Sequence, residues 1–188
     1  KHLNIPPQTS TIASHLPKAV GAAFSIDRAK NLNIGSRELD EKSIVLCSFG
    51  DASANHASAL SAFNTASWIS HYGGHVPIVF ICEDNGLGIS VPTDSKWIEK
   101  SFSQRYGIKY VSVDGLNMID LIYKTNKVER DCRLNRIPIF LHMKTVRLMG
   151  HAGSDIELGY KSLDQIEIAE KNDPLLHSSR VILENNLL

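Results

Sequence analysis

Two short and almost uninterrupted apolar runs, Ser43–Phe49 and Val76–Cys82, frame the most informative part of the chain. Runs of that length, bounded by polar and glycine-bearing segments, predict strands buried on both faces. Between them, residues 55–70 are rich in Ala and Ser and predict a helix able to lie close on a sheet. Upstream, residues 11–31 place small and apolar positions at helical spacing, with Pro17 near the start and Asn31 near the end. The polar stretch Asn33–Lys42, with Gly35, reads as a loop. Downstream the pattern predicts a short helix near 94–105, a third strand at Tyr110–Val113 and a fourth at Pro138–Val146. Asn117–Asn135 lies between those strands as an amphipathic helix, with Met118, Leu121, Ile122 and Val128 on one stripe. Residues 147–162 form a polar, glycine-bearing loop. Ser162-Leu163-Asp164-Gln165 then reads as a capping box, and a last helix after Pro174 runs to Leu187-Leu188. Strands that alternate with helices in this way predict an α/β fold, a mostly parallel sheet covered on both faces. At 188 residues the chain suits one core, and a single domain over 1–188 is expected.

The first strand runs into Gly50-Asp51-Ala52 and the second into Glu83-Asp84-Asn85-Gly86. A carboxylate and an amide thus stand at the C-terminal tips of successive strands, where open α/β sheets bind ligands. A hard cation such as Mg takes oxygen ligands and completes its shell with substrate phosphates. Asp51, Asn85 and a backbone carbonyl just after Asn85 are its candidate ligands. A single Gly-Asp after a strand is more often a turn with a helix cap, and only the second polar tip lifts the metal reading above that. The residues by themselves point to an anion-plus-metal site and name no cofactor.

Four ordered stretches go further: Ala13–Ala23 (ASHLPKAVGAA), the Gly50–Asn85 segment, Ile89–Thr93 (ISVPT) and Arg147–Asp155 (RLMGHAGSD). The middle segment resembles the thiamine diphosphate motif, Gly-Asp-Gly followed further along by Asn. Together they resemble the alpha chain of the decarboxylating component of 2-oxo acid dehydrogenase complexes, over nearly the whole chain. The resemblance implies a thiamine-diphosphate-binding fold, with Asp51, Asn85 and the Leu87 carbonyl holding Mg2+. It also implies backbone N–H groups around Gly50, Ala52 and Ser53 against the diphosphate, and Arg147 pairing with it. His151 corresponds to the histidine facing the reacting carbon, and Ser10 and Ile12 to main chain near the aminopyrimidine.

The chain departs from the family at several positions. Ala52 replaces the second glycine of the motif, so the turn must avoid positive φ or carry strain. His71–His75 (HYGGH) resembles an insertion that lengthens the gap to Asn85. Ser14 and His15 stand where branched-chain relatives carry Thr-Gln beside a structural potassium ion. Ala152 replaces a serine that kinases phosphorylate in mitochondrial relatives, so that control is expected to be absent.

The implied activity is oxidative decarboxylation of a 2-oxo acid, with acyl transfer to a lipoyl group on an acyltransferase core. A beta chain, separate or fused, supplies the activating glutamate, within a heterotetramer. The 85–93 and 17–24 stretches are closer to the branched-chain subgroup than to the pyruvate subgroup. The alternatives are another thiamine diphosphate enzyme, acetoin-cleaving or transketolase-like, and a non-catalytic assembly module that keeps the fold.

Composition adds exclusions. Twenty basic and twenty acidic residues cancel, which gives no footprint for nucleic acid or an anionic membrane surface. No apolar run reaches the roughly 18 residues of a membrane span. Cys47 and Cys82 lie inside apolar strands, no CxxC spacing occurs, and a reducing compartment is expected: a bacterial cytoplasm or a mitochondrial matrix. A chain that opens on Lys1 is expected to be a core fragment lacking the family's N-terminal part. Among eight scattered histidines, His71 and His75 sit four apart, but Gly73-Gly74 breaks the helix that zinc would need. His56 reads as a polar residue early in its helix, His142 as a satisfied core histidine and Asp155 as a loop-orienting residue or cap. Trp68 and Trp97 read as core or interface anchors.

Overall fold

Why the strands form where they do is clear from their burial. The computed structural model describes residues 4–7, 9–34 and 40–187. Residues 35–39 of the expected Asn33–Lys42 loop, and Leu188, lie outside the described residues, and the last helix stops at Glu184, short of the expected Leu187. Four strands, β1 (Val45–Gly50), β2 (Ile78–Asp84), β5 (Lys109–Asp114) and β6 (Ile139–Lys144), pair in parallel in the order β1-β2-β6-β5. A two-stranded antiparallel ribbon, β3 (Leu87–Gly88) and β4 (Val91–Pro92), follows β2. Alternate side chains of β2, β5 and β6 enter two separate cores, while β1 gives one face to the first core and leaves Leu46 and Ser48 exposed on the other. Cys47, Phe49, Phe80, Cys82 and Phe140 pack with Leu16, Val20 and Ala23 of α1 (His15–Asn31) and with Ala59, Ala62, Phe63 and Ala66 of α2 (Ala57–His71). Val79, Val113, Ile139 and Leu141 pack instead with Val128 and Cys132 of α4 (Met118–Asn135). Helices therefore cover both faces, as the continuous apolar strands predict.

Small residues explain the close approach of α2. Ala59, Ala62 and Ala66 leave room for Phe63, whose ring meets Phe49, Phe80, Phe102 and Phe140 with centroids 5.0–5.7 Å away. Phe102 comes from α3 (Trp97–Phe102) and stacks on Phe140 at 4.2 Å. The expected helix near 94–105 is thus a single six-residue piece.

Helix ends follow their capping chemistry. His56 Nδ1 accepts the Ser58 N–H at the start of α2, so His56 is a cap. Asn117 Oδ1 accepts the Asp120 N–H at the start of α4. Ser162 and Gln165 form the expected capping box of α5 (Leu163–Lys171), and Asp173 with Pro174 opens α6 (Pro174–Glu184). The His71–Gly74 stretch is a helix stop. Gly73, at φ +76°, donates to the Ser70 carbonyl and Gly74 to the Ile69 carbonyl, the paired bonds of a Schellman motif. No helix among the described residues is long and apolar enough to cross a membrane.

β1, β2 and β5 run one or two residues further toward their C-terminal ends than the apolar runs alone indicate, whereas β6 stops at Lys144, short of the expected Val146. β1 includes Gly50 and β2 includes Glu83 and Asp84, because Gly50 pairs with Glu83 and Asp84 with Lys144 in the continuing ladder. That extension places the polar tips on fixed backbone.

Candidate functional site

Asp51 comes directly after Gly50, the last ladder position of β1, and its N–H donates to the Glu83 carbonyl at 3.3 Å. The residue is 3% exposed. Its carboxylate Oδ2 accepts the Thr93 hydroxyl. Residues Ala52–Asn55 then make a 3-10 turn, with Ala54 N–H bonded to the Asp51 carbonyl at 3.1 Å. Ala52 does not take positive φ, so the missing glycine costs no left-handed strain at this turn. Its methyl group instead faces Gly88, where an added Cβ would lie 2.9 Å from the Ala52 Cβ.

The β2 tip is built from two successive Asx-type turns. Asp84 Oδ1 accepts the Gly86 N–H at 3.2 Å, and Asn85 Oδ1 accepts the Leu87 N–H at 3.1 Å. Gly86 takes φ +75°, a conformation that the second turn requires and that glycine adopts freely. The Gly86 carbonyl accepts the Thr93 N–H at 3.0 Å. Thr93 therefore ties both tips together, by its backbone to the second and by its hydroxyl to the first.

Burial pushes the Asp51 carboxyl above its ordinary value; the Thr93 hydroxyl opposes this and the neighbouring Asp84 carboxylate reinforces it. Among the described residues no basic side chain pairs with Asp51. A buried carboxylate facing a second carboxylate is costly, and a hard oxygen-seeking cation is the partner that removes the penalty. The donor set here, one carboxylate, the Asn85 amide and the backbone around Leu87, suits such an ion. A small open cavity of about 180 Å³ adjoins Asp51 and is lined also by Asn55, Thr93, Asp94, Trp97 and Ile98. Trp97 Nε1 donates to Asn55 Oδ1 at 2.6 Å on its wall.

The loop after β6 carries the other polar groups. Arg147 donates from Nη1 to the Ile89 carbonyl and from Nη2 to the Tyr160 hydroxyl, both at 2.7 Å. Tyr160 donates in turn to Asp155 Oδ2 at 2.7 Å, and the His151 backbone N–H reaches the same oxygen at 2.6 Å. These donors, led by the His151 N–H, hold the Asp155 carboxyl below its ordinary range. Arg147 Nε is buried without a partner among the described residues, a polar atom left unsatisfied in this arrangement. Ile89, a β-branched residue at φ +59°, is held in the tight link between β3 and β4, a strained conformation next to the Arg147 contact.

The geometry thus gathers Gly50, Asp51, Ala52, Ser53, Asn85 and Leu87 around two strand tips, and links Arg147 to them through Ile89. His151 is exposed on its loop, and no side-chain hydrogen bond among the described residues ties it to the tips. Ser10 and Ile12 are exposed on the N-terminal segment, Ile12 at 59%. His15 Nε2 and the Ser48 carbonyl are 2.8 Å apart, so the side chain at the position of the relatives' potassium site is engaged with β1. His75 pairs with Asp27 rather than with His71. Trp68 and Trp97 are 61% and 49% exposed, which excludes a core role in this chain. Sequence reasoning missed the bracing parts of Thr93, Tyr160 and Asn55. Only their polar character marked them, because what makes them matter is contact across the fold.

Comparison with known proteins adds an independent line. The family described as Dehydrogenase E1 component matches residues 2–188. The mitochondrial 2-oxoisovalerate dehydrogenase subunit alpha of Mus musculus is 31% identical over 180 residues, covering 94% of this chain and 37% of that protein. The corresponding subunit of Bacillus subtilis (strain 168) is 26% identical over 184 residues, 96% of this chain and 51% of its own length. The mitochondrial pyruvate dehydrogenase E1 component subunit alpha of Dictyostelium discoideum is also 26% identical, over 179 residues, 94% of this chain and 43% of that protein. The chain spans between about a third and about a half of the length of these relatives.

Proposed function

Since the chain belongs to the dehydrogenase E1 component family, we propose that it forms the diphosphate-binding domain of an alpha chain that decarboxylates a 2-oxo acid with thiamine diphosphate and Mg2+. One observation carries the reading: Asp51, a buried carboxylate with no basic partner among the described residues, follows directly on the parallel β1–β2 ladder and is tied through Thr93 to the turn at Asn85. Asp51, Asn85 and the Leu87 carbonyl would hold the metal ion. The N–H groups of the Ala52–Asn55 turn and the Arg147 guanidinium would meet the diphosphate. When bound, the cofactor supplies the carbanion chemistry that releases CO2 from the 2-oxo group. The protein supplies position and charge. His151, exposed beyond β6, would give or hold a proton at an oxygen that gains negative charge on the substrate. Asp155 and Tyr160 brace the loop that carries it. Ser10 and Ile12 would line the approach to the aminopyrimidine. A beta chain would complete the site, and a lipoyl group on an acyltransferase core would accept the acyl unit.

Substrate choice follows the relatives: two of the three described above are named for 2-oxoisovalerate, and the 85–93 segment supports the branched-chain side. The test is a decarboxylation assay on the full alpha–beta assembly, with 2-oxoisovalerate and pyruvate compared by kcat/KM. The branched acid should be preferred by about tenfold or more, the discrimination a pocket obtains from one or two methyl groups. His151→Ala should lower kcat by about a hundredfold with cofactor affinity retained. A preference for pyruvate would reverse the substrate reading, and an unaffected His151→Ala would remove its proposed role.

A further inference from the structure

His142 is fully buried in the middle of β6, on the sheet face that carries Phe140 and packs against Phe63 and Phe102. It is not simply enclosed. Tyr110 Oη and His142 Nδ1 are 2.6 Å apart, and His142 Nε2 and Asp84 Oδ2 are 2.7 Å apart. The sheet register explains the line. Tyr110 pairs with Phe140 and His142 with Cys82, so Tyr110, His142 and Asp84 share one face, each two positions nearer the C-terminal edge than the last. The row climbs from β5 through β6 to β2 and ends where Asn85 begins.

Its direction is set by donors and acceptors. Asp84 as a carboxylate only accepts, so Nε2–H donates to it. Nδ1 then accepts the Tyr110 hydroxyl proton. Burial pushes the Tyr110 phenol up to about 12, which keeps that proton in place.

Asp84 is 9% exposed, and its polar groups serve different elements. Oδ2 takes the His142 bond, Oδ1 takes the Gly86 N–H at 3.2 Å, and its backbone carbonyl takes the Thr145 N–H at 2.8 Å. One residue thereby fixes the turn that presents Asn85 and the strand end that leads to Arg147. Released from His142, the Asp84 side chain could rotate about its Cα–Cβ bond and surrender the Gly86 contact. We propose that Tyr110, His142 and Asp84 form a buried positioning relay that holds the Asn85–Leu87 turn in its cation-binding shape. The relay touches neither substrate nor cofactor. It acts through Asn85 and rests on the cofactor reading above.

Hydrogen-bond partners that orient metal ligands typically change affinity by about 10–100-fold when removed. The test titrates Mg2+ calorimetrically into the full alpha–beta assembly at fixed thiamine diphosphate, with ligand-free thermal melts alongside. His142→Leu should raise the Mg2+ concentration for half-saturation by about 10–100-fold. His142→Gln keeps an N–H for Asp84 and should restore most of the affinity, even where its melting temperature stays below wild type. Tyr110→Phe removes only the far end and should weaken Mg2+ binding in the same direction by less; it decides the matter if His142→Leu does not fold. Melting temperatures that fall while Mg2+ half-saturation stays at the wild-type value in all variants would overturn the relay and leave the cofactor reading intact. A folded wild-type assembly without any Mg2+-dependent binding would overturn both.

Discussion

At the scale of single residues, the site depends on small side chains as much as on charged ones. Ala52 occupies the place where the family motif has a second glycine, and the structure accommodates it with a 3-10 turn rather than a left-handed residue. The space its methyl group takes is space that Gly88 leaves open. A Cβ on Gly88 would lie 2.9 Å from that of Ala52, and neither atom can rotate away. Gly88→Ala should therefore destabilise the fold by about 1–3 kcal/mol, the usual range for overpacking, and shift the ribbon that carries Leu87. Denaturant unfolding measures the first effect; unchanged stability would mean that the ribbon relaxes freely. Ala52→Gly in the same background should recover part of the loss. The sequence marked Asp51, Asn85 and Arg147 through their motifs and positions after strands. It did not mark Thr93, which matters because its hydroxyl and N–H reach two different tips, a relation that exists only once the chain is folded.

At the scale of elements, the apolar and polar pattern was legible for every sheet strand and for the long helices, since burial on one or both faces is what the pattern records. The ribbon β3–β4 was not legible: it is two residues wide, exposed at Val91 and Pro92, and held by register rather than by burial. Nor did the pattern foretell how the elements are fastened at the N-terminal edge of the sheet. There Asp27 of α1 meets Arg136, just after α4, at 2.8 Å, and His75, just before β2, at 2.5 Å. Arg136 also donates to the Ser43 carbonyl at 2.9 Å, in front of β1. Burial alone would raise the Asp27 carboxyl, but Arg136 and then His75 outweigh it and hold it below its ordinary value. A depressed carboxylate stabilises the fold above its unfolded pKa of about 3.9, and that contribution is lost as pH falls through the lower folded value. Asp27→Asn should lose about 2 kcal/mol at neutral pH, the scale of a hydrogen bond to a charged group, and show a shallower decline below about pH 4. Urea unfolding across pH reads both; a parallel decline in the two proteins would show that Asp27 is not the titrating group.

At the scale of the whole molecule, two cores on either face of one parallel sheet hold the strand tips in place, and the cysteines belong to those cores. Burial pushes the Cys47 and Cys132 thiols up to about 12 and raises Cys82 as well. Thiolate is the reactive form, so all three should resist a thiol reagent in the native chain and react together on unfolding. Fast labelling of one of them under native conditions would show that its strand or helix opens locally. The overall architecture was readable because alternating buried strands and helices admit few arrangements. The order β1-β2-β6-β5 was not, since nothing local records that the chain passes over a position and returns to fill it. That return is what brings β6 beside β2, with His142 against Asp84 and Thr145 bonded to the β2 tip. We propose that Asp51 and the Asn85 turn form one cation and diphosphate site. Its most direct test is calorimetric titration of thiamine diphosphate with Mg2+ into the full alpha–beta assembly, wild type against Asp51→Ala, with thermal melts to confirm folding. The wild type should show saturable, Mg2+-dependent binding that the variant loses. Equal binding by a folded Asp51→Ala assembly, or none by the folded wild type, would contradict it.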